Sequence, residues 1–288
     1  MFKRINWKLV GITFVWVLRL SSLVVLMSFI EIKKAESTCA NVQVILPGNQ
    51  YFIERAEIDE ILKEKNGLLV GRRLSGINIQ YLEDKLRANP FIEYAKVYID
   101  MDGVLHADVK QRVPVLRVLN MAGQDFYIDQ NGLKIPLSDH FTARVLAANG
   151  AIMEGFSGKV DTLKTVIGKD LFQTAKFIEE DSLWREQIVQ MFVDANNDIE
   201  LVPRVGNQKI ILGDAKNVKT KLRNLLLFYK KALPQYGWDT YSTINLKFDG
   251  QIVCQKRDSS LIKHTVLPPV LKDSTIKIET QDSINNIR

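Results

Sequence analysis

Residues whose types and spacing could support covalent catalysis are few in this chain. Two serines stand three positions before a lysine, Ser260 before Lys263 and Ser274 before Lys277. In penicillin-binding enzymes this spacing lets the lysine act on a nucleophilic serine. Both pairs lie in a polar, proline-containing stretch with no apolar core to hold them, whereas catalysis needs a rigidly positioned pair. We therefore interpret both serine and lysine pairs as chance matches.

Metal and thiol chemistry find little support in the spacing of histidines and cysteines. Cys39 and Cys254 are far apart, and neither belongs to a Cys-x-x-Cys pair. His106, His140 and His264 are equally dispersed, whereas zinc ligands cluster at short spacings. An oxidising compartment would permit a disulfide, but the positions favour two unpaired thiols. We expect no metal and no cofactor.

Charge and composition argue against a nucleic-acid partner and against an enzyme. The 39 basic and 33 acidic residues are scattered along the chain, which gives a net charge of +6 without a basic block. The sequence has no phosphate-binding glycine loop and no His-Glu-x-x-His motif. Adjacent carboxylates such as Glu179 and Glu180 point in different directions on a helix. These features predict a non-enzymatic protein that binds neither nucleic acid nor a small-molecule substrate.

An apolar segment near the N-terminus predicts one transmembrane helix over residues 9–30. The segment carries a single charge, and about 20 apolar residues cross a bilayer core. Charged residues follow it where a signal peptide would have its cleavage site, so we expect the helix to be retained. Basic residues within 1–8 keep that short stretch cytoplasmic by the positive-inside rule. The chain beyond a linker at 31–41 is then extracytoplasmic.

Arg19 places a charge at the middle of this segment. A charge at the centre of a membrane helix costs about 2.5 to 3.5 kcal/mol on insertion scales. One interpretation is that Arg19 faces a polar group of a partner helix within the membrane. The alternative is that its side chain extends towards the headgroups and has no partner.

Residues 42–113 predict a compact domain with the order β-α-α-β-β. A β-rich run at 42–46 is followed by two segments of helical spacing, at 53–65 and 78–89. Asn78 supplies an N-cap for the second helix, and a proline directly follows the end of that helix.

The last two strands of this domain predict a hairpin whose register follows from the alternation of side chains. A three-residue loop at 101–103 pairs Ile99 with Leu105, so that the apolar residues of both strands share one face. A two-residue loop would mix apolar and polar faces. The longer loop also puts Gly103 where a left-handed conformation is needed. His106 is then a solvent-side strand residue rather than a catalytic base.

Residues 114–256 predict a second domain in which helices interrupt a β-sheet, so the fold class is α+β. Turn signals such as Asn149 with Gly150 recur along it. Helical spacing predicts helices at 168–180 and 216–233, and the lysines of the second helix indicate a solvated face. Strands are predicted between the turns and helices, at 126–129, 143–147, 188–193, 199–205 and 209–212.

This organisation resembles the FtsQ/DivIB family of bacterial cell-division proteins, in which one membrane helix is followed by a POTRA domain and a second β domain. The most family-like string is QRVPVLRV at 111–118, where the two domains join. The first domain contributes Leu82, Leu86, Asn89, Pro90, Phe91, Ala95, Val97, Asp102 and Gly103. The second contributes FYIDQNGLKIPL at 126–137, LVPRVGNQKIILGD at 201–214 and INLKFDGQIV at 244–253. The chain departs from the family in residues 257–288, a polar tail that we expect to be disordered.

The resemblance implies a membrane-anchored scaffold of the bacterial division complex that coordinates septal wall synthesis. Such a scaffold is a single-pass protein of the cytoplasmic (inner) membrane, with its bulk in the periplasm or otherwise outside the cytoplasm, at the division septum. The implied partners are division proteins resembling FtsB and FtsL, the septal wall-synthesis enzymes, and the lipid bilayer.

A candidate partner-binding edge lies in the last predicted hairpin, residues 244–254. Little chain that could pair follows this hairpin, so its returning strand would carry unpaired backbone groups on the outer side. In the family the end of the second domain receives a segment of FtsB, which implies that a partner strand adds here. The implied contact residues are Phe248, Gln251, Ile252 and Val253. For Phe248 and Ile252 a role in filling the core is an equal alternative.

Two other functions fit parts of the pattern. A POTRA-bearing chaperone or transport accessory would use the same strand-edge recognition, so the fold alone does not separate it from a division scaffold. A membrane-anchored extracytoplasmic hydrolase would need a buried nucleophile or a metal cluster. The family-like strings of the second domain favour the division scaffold over both.

Overall fold

The computed structural model describes residues 11, 14–25, 37–48, 52–63 and 67–257. Residues 14–25 are helical with exposed side chains, and apart from residue 11 the rest of the predicted membrane segment lies outside the described residues. Within the ranges described, no helix combines the length and apolar character needed to cross a bilayer. The predicted tail lies outside these ranges from residue 258 onward.

The first domain has the predicted order β-α-α-β-β. Its elements are β1 (Asn41–Ile45), α1 (Arg55–Leu62), α2 (Ile79–Arg87), β2 (Ile92–Ile99) and β3 (Val104–Gln111), with a 3-10 turn at Leu74–Gly76. Strand β3 lies in the middle of the sheet, parallel to β1 and antiparallel to β2. The Asn78 side chain accepts a hydrogen bond from the Tyr81 amide at 3.0 Å, which confirms the predicted cap of α2. Both helices bury their apolar residues in one core with the sheet.

The β2–β3 hairpin has the predicted register. Ile99 pairs with Leu105 across a three-residue loop. Gly103 closes the loop with a φ of +80°, and a Cβ at this position would lie 2.9 Å from the Thr38 carbonyl oxygen. The loop therefore needs glycine both for its backbone conformation and for its close approach to the start of the domain.

His106 lies on the sheet face opposite the core, as predicted, but it is half-buried by two local contacts. Its ring stacks on Tyr98 with a centroid distance of 5.0 Å, and its Nε2 lies 2.8 Å from the Asp100 carboxylate. The contact with His106 lowers the pKa of Asp100. These contacts account for His106 as a structural residue of the hairpin.

The second domain is built on one mixed sheet of ten strands. The strands are β4 (Pro114–Val118), β5 (Phe126–Asp129), β6 (Leu133–Ile135), β7 (Leu146–Gly150), β8 (Asp161–Thr162), β9 (Ile188–Val193), β10 (Ile199–Pro203), β11 (Lys209–Gly213), β12 (Tyr241–Asn245) and β13 (Val253–Lys256). The helices are α3 (Val166–Glu180), α4 (Ser182–Gln187), α5 (Val218–Lys231) and α6 (Leu233–Tyr236). The order across the sheet is β13-β12-β11-β10-β9-β7-β4-β5-β6-β8, so β13 and β8 form its two edges.

A continuous row of apolar side chains crosses seven of these strands. Paired residues in register form the row, which runs through Cys254, Ile244, Ile210, Leu201, Met191, Ala148 and Val118. Leu171 of α3 and Leu222 of α5 belong to the same core. Because side chains alternate along a strand, this row fixes the face that each strand turns towards the helices.

The predicted turn at Asn149 and Gly150 is wrong, since both residues lie in β7. Gly150 has a φ of +100° and passes so close to the backbone of Val193 that a side chain would collide with it. The glycine serves this close approach between neighbouring strands rather than a chain reversal. The strand predicted at 143–147 accordingly begins later, at Leu146.

The two domains meet through an aromatic cluster and a buried ion pair. Phe52 of the first domain stacks on Phe91 at 5.3 Å and meets Tyr127 of the second domain edge-on at 5.6 Å. Arg112 Nη1 lies 2.8 Å from the fully buried carboxylate of Asp129. Apolar and charged contacts thus both stabilise the junction.

Candidate functional site

The candidate site is the free side of β13. This strand pairs with β12 on one side and ends the sheet on the other. Among residues 37–257 that are described, no strand pairs with its outer side. An open strand edge presents N–H and C=O groups that another chain can pair with.

The outward backbone groups of β13 can be assigned from one hydrogen bond. The Arg257 amide donates to the Thr240 carbonyl oxygen at 2.9 Å, so it faces the β12 side. Backbone groups alternate in direction along a strand, so the Val253 amide faces β12 as well. By the same alternation, Cys254 and Lys256 direct their N–H and C=O groups away from the sheet. The edge therefore offers two pairs of hydrogen-bonding groups.

The four predicted contact residues lie together at the start of this edge. Phe248 and Val253 are 47% and 44% exposed, and Gln251 is exposed as well. These exposures exclude the core-filling alternative for Phe248. Ile252 is half-buried and packs against the core of the domain, so that alternative holds in part for Ile252.

The loop between β12 and β13 is longer than the predicted turn, because β12 already ends at Asn245. The Asn245 side-chain oxygen accepts a hydrogen bond from the Lys247 amide at 3.0 Å, a local turn that competes with strand pairing. Lys247 Nζ lies 2.6 Å from the Asp198 carboxylate in the turn between β9 and β10. Together these contacts fix the loop and place Phe248 outside the strand.

A buried lysine stabilises the neighbouring end of α5. Lys221 was predicted on a solvated helix face, and this prediction is wrong, since Lys221 is only 8% exposed. Its Nζ donates to the carbonyl oxygens of Leu212 and Asp214 at 3.0 and 2.9 Å, and to the Asp214 carboxylate at 2.8 Å. The hydrogen bond from Lys221 lowers the pKa of Asp214. Phe248 and Ile252 line a narrow cleft against this end of the helix.

Sequence reasoning missed an aromatic group at the other end of the edge. Trp238 is 43% exposed and Tyr236 is 62% exposed. Trp238 packs on Tyr229 at 5.3 Å, and burial raises the pKa of Tyr229 to about 12. Arg257, directly after β13, donates to the Asn207 carbonyl oxygen at 3.1 Å in the same region. Tyr236 and Trp238 flank Gly237 in the sequence, and this spacing is the signal that could have indicated the aromatic group.

The remaining predicted residues contribute no second site. Arg19 lies in the helical stretch 14–25 with an exposed side chain, and its contact with a partner helix stays a prediction. Cys39 and Cys254 are free thiols, and burial raises the pKa of Cys254. Over the part of the chain that the structure describes, no group of His, Cys, Asp and Glu side chains could hold a metal ion.

Comparisons with known proteins divide the chain in the same way as its fold. Residues 37–110 match the family described as "POTRA-like domain", and residues 113–255 match the family described as "FtsQ/DivIB, C-terminal related". The chain is also similar to "Cell division protein FtsQ" of Salinibacter ruber (strain DSM 13855 / M31). The two are 24% identical over 193 residues, which cover 65% of this chain and 73% of the relative. The second family match runs from the start of the second domain into β13.

Proposed function

Because this chain is an FtsQ/DivIB-related protein with a POTRA-like domain, we propose that it is a non-enzymatic scaffold of the bacterial cell-division complex. Residues 9–30 anchor it in the cytoplasmic membrane, and both domains stand outside the cytoplasm at the septum. The second domain docks other division proteins and so coordinates septal wall synthesis. The free edge of β13 is the observation that carries this proposal.

Docking at β13 occurs by addition of a partner strand. The outward groups of Cys254 and Lys256 lie two residues apart on the same side of the strand, which is the repeat at which an added strand forms its backbone hydrogen bonds. Phe248 and Val253 provide exposed apolar contacts beside them, and Gln251 adds a polar contact. Backbone pairing supplies affinity, while these side chains select the partner. The expected partner is a division protein resembling FtsB, accompanied by one resembling FtsL.

A proline at Lys256 tests this docking mode. Lys256→Pro removes an outward amide but leaves the ladder with β12 intact, and the replaced side chain is exposed. The variant should keep its circular dichroism spectrum and lose the FtsB-like partner in a pull-down from detergent-solubilised membranes. The matched control Lys256→Ala removes the side chain, keeps the amide and should bind normally. A folded Lys256→Pro protein that still captures the partner would place docking elsewhere.

The membrane topology has its own test. The helical stretch 14–25, with its exposed apolar side chains, supports a membrane anchor at 9–30. Protease added to intact spheroplasts should digest the two domains. Digestion that occurs only after lysis would contradict the proposed orientation.

Arg19 is proposed to contact a polar group of a partner helix within the membrane. Arg19→Leu should then insert well but recover less of the partner proteins when the chain is purified from membranes. Unchanged recovery would mean that the side chain reaches the headgroups without a partner.

A further inference from the structure

One end of the POTRA-like domain carries three exposed apolar side chains on two loops. Leu68 and Val70 are 67% and 49% exposed, and Met101, in the β2–β3 loop, is fully exposed at 104%. Leu69 between the first two is only 3% exposed and belongs to the core. The loop is therefore anchored by Leu69, and folding does not require Leu68 or Val70 to be apolar. We call Leu68, Val70 and Met101 the tip residues.

Both loops are bonded to the segment through which the chain enters the domain. The Cys39 amide donates to the Arg72 carbonyl oxygen at 2.7 Å, and the Gly71 amide donates to the Cys39 carbonyl oxygen at 2.8 Å. On the other side, the Ala40 amide donates to the Gly103 carbonyl oxygen at 2.9 Å. The backbone thus holds both loops beside residues 37–40.

The sequence brings this end of the domain close to the bilayer. Ser37 follows Ile30, the end of the predicted membrane segment, by seven residues, which span at most about 25 Å when fully extended. The headgroup layer itself takes up about 5 to 8 Å of that distance. The other exposed aliphatic residues of the described part of this domain lie away from this end: Ile45 is at the opposite end of β1, and Val113 is at the junction with the second domain.

One basic and one acidic side chain are exposed on the two loops that carry the tip residues. Arg73 is exposed in the first loop, and Asp102 is exposed in the second. An apolar residue that enters the headgroup layer gains burial, and an arginine beside it pairs with lipid phosphate. The acidic Asp102 opposes this attraction and makes the apolar contacts the larger contribution.

We propose that the tip residues insert into the headgroup layer of the bilayer that anchors the chain, with Arg73 at the phosphates. This inference rests on the membrane anchoring in the proposed function. The contact limits rotation of the POTRA-like domain about the linker. It thereby sets the direction in which the second domain, fixed to the first by the aromatic and ionic junction, presents β13.

Site-specific photocrosslinking in lipid nanodiscs tests this contact with the full chain. A diazirine-bearing residue is placed at Leu68 or at Met101 in nanodiscs that contain phosphatidylglycerol. The matched control is Met121, another strongly exposed methionine, at 67%, in a turn of the second domain. Lipid adducts at positions 68 and 101 should exceed those at 121 several-fold. Replacement of Arg73 by Glu should lower the yield at 68, whereas Arg73→Lys should preserve it.

A diazirine-bearing residue at Leu20, in the helical stretch 14–25, distinguishes failure of the tip contact from failure of the membrane anchoring. Lipid adducts at 20 without adducts at 68 and 101 would overturn the tip contact alone. Absence of adducts at 20 would contradict the membrane anchoring, and the tip contact would fall with it. Adducts from 68 or 101 to a second copy of the chain, in place of lipid, would identify the tip residues as a self-association surface and overturn the lipid assignment.

Discussion

The two edges of the ten-stranded sheet are protected from foreign strands to very different degrees. At one edge, β8 has only two residues, and charged side chains surround it. The Asp161 carboxylate lies 2.7 Å from Lys164 Nζ, and the residue of β6 that pairs with Asp161 is the buried Lys134. Lys134 Nζ in turn lies 2.8 Å from the Glu154 carboxylate. At the other edge, β13 has four residues and no ion pair among those described covers its outer side. Short, charged edges are a common protection against edge-to-edge pairing.

This difference between the described edges supports the proposed docking at β13. A sheet that blocks one end with a short strand and fixed charges has the means to block the other. Instead, β13 exposes Val253 and follows a loop that exposes Phe248. The free backbone and the exposed apolar side chains are what an added strand requires. The predictions below separate the closed edge, whose ion pair stabilises the fold, from the open edge, where docking is proposed.

The largest effect is expected at the closed edge. Glu154→Gln removes the nearer counterion of the buried Lys134 and leaves only the Asp161 carboxylate at 3.7 Å; breaking a buried ion pair typically costs about 3 to 5 kcal/mol of unfolding free energy. Urea denaturation followed by circular dichroism measures this loss. The control Asp161→Asn removes the exposed pair with Lys164 and only a longer contact, 3.7 Å, with Lys134, so it should cost less than the Glu154 variant, about 1 kcal/mol. Equal losses in the two variants would show that burial of the Lys134 pair does not govern this edge.

The same ion pair makes stability depend on pH. Burial alone would raise the pKa of Glu154, but hydrogen bonds from Lys134 and Thr165 outweigh it and lower the pKa from 4.5 to about 2. The unfolded state therefore binds more protons than the folded state between these values, and stability falls as the pH falls from about 5 to 2. The shift corresponds to about 3 kcal/mol in total. Glu154→Gln lacks this titration, so its unfolding free energy should change less over that range; parallel curves would contradict the assignment.

A smaller effect is expected from two neighbouring prolines at the open edge. Val253→Pro removes an amide that faces β12 and should lower the unfolding free energy by about 1 to 3 kcal/mol. Ile252→Pro removes an amide on the outer side, but it also loses the core contacts of Ile252. Measured against Ile252→Ala, it should cost less stability than Val253→Pro does against Val253→Ala, while it weakens capture of the FtsB-like partner. Chemical denaturation and a pull-down on the same preparations measure both. A larger loss of stability from the proline at Ile252 than from the proline at Val253 would mean that the Ile252 amide, and not the Val253 amide, faces β12.

Much of this architecture could be predicted where the local pattern and the tertiary structure agree. The register of Ile99 with Leu105 follows from period-two alternation and one glycine, both of which are visible in the sequence. The edge position of the last hairpin was predicted from the polar composition of the residues that follow it. In both cases nearby residues contain all the information needed.

The predictions that failed depend on residues distant in sequence. Gly150 looks like a turn glycine until Val193, more than forty residues later, passes against it. In the helix pattern Lys221 looks solvated, because the pattern does not reveal that a carbonyl oxygen of β11 accepts a hydrogen bond from its side chain. The direction of the β13 amides could not be read either, because it depends on which residue of β12 each one faces. Alternation fixes the face of a side chain but not the identity of its strand neighbour.

The smallest effect expected concerns the two free thiols, which report on local opening of the edge. Cys254 is half-buried in the edge strand, whereas Cys39 is 1% exposed in the first domain. An edge strand held on one side opens more readily than a core, so iodoacetamide should modify Cys254 before Cys39 in the native protein. The thiolate is the reacting form, and burial raises the pKa of Cys254. Its rate should therefore continue to increase with pH after the rate of the same cysteine in denatured protein has levelled off, and a bound partner strand should slow it because the pairing suppresses opening. Peptide mass spectrometry over time measures both rates, with urea-denatured protein as the reference in which the two cysteines should react alike.

Native protein in which Cys39 reacts as fast as Cys254 would show that β13 is no more prone to opening than the core, and partner docking would then require no rearrangement of the edge.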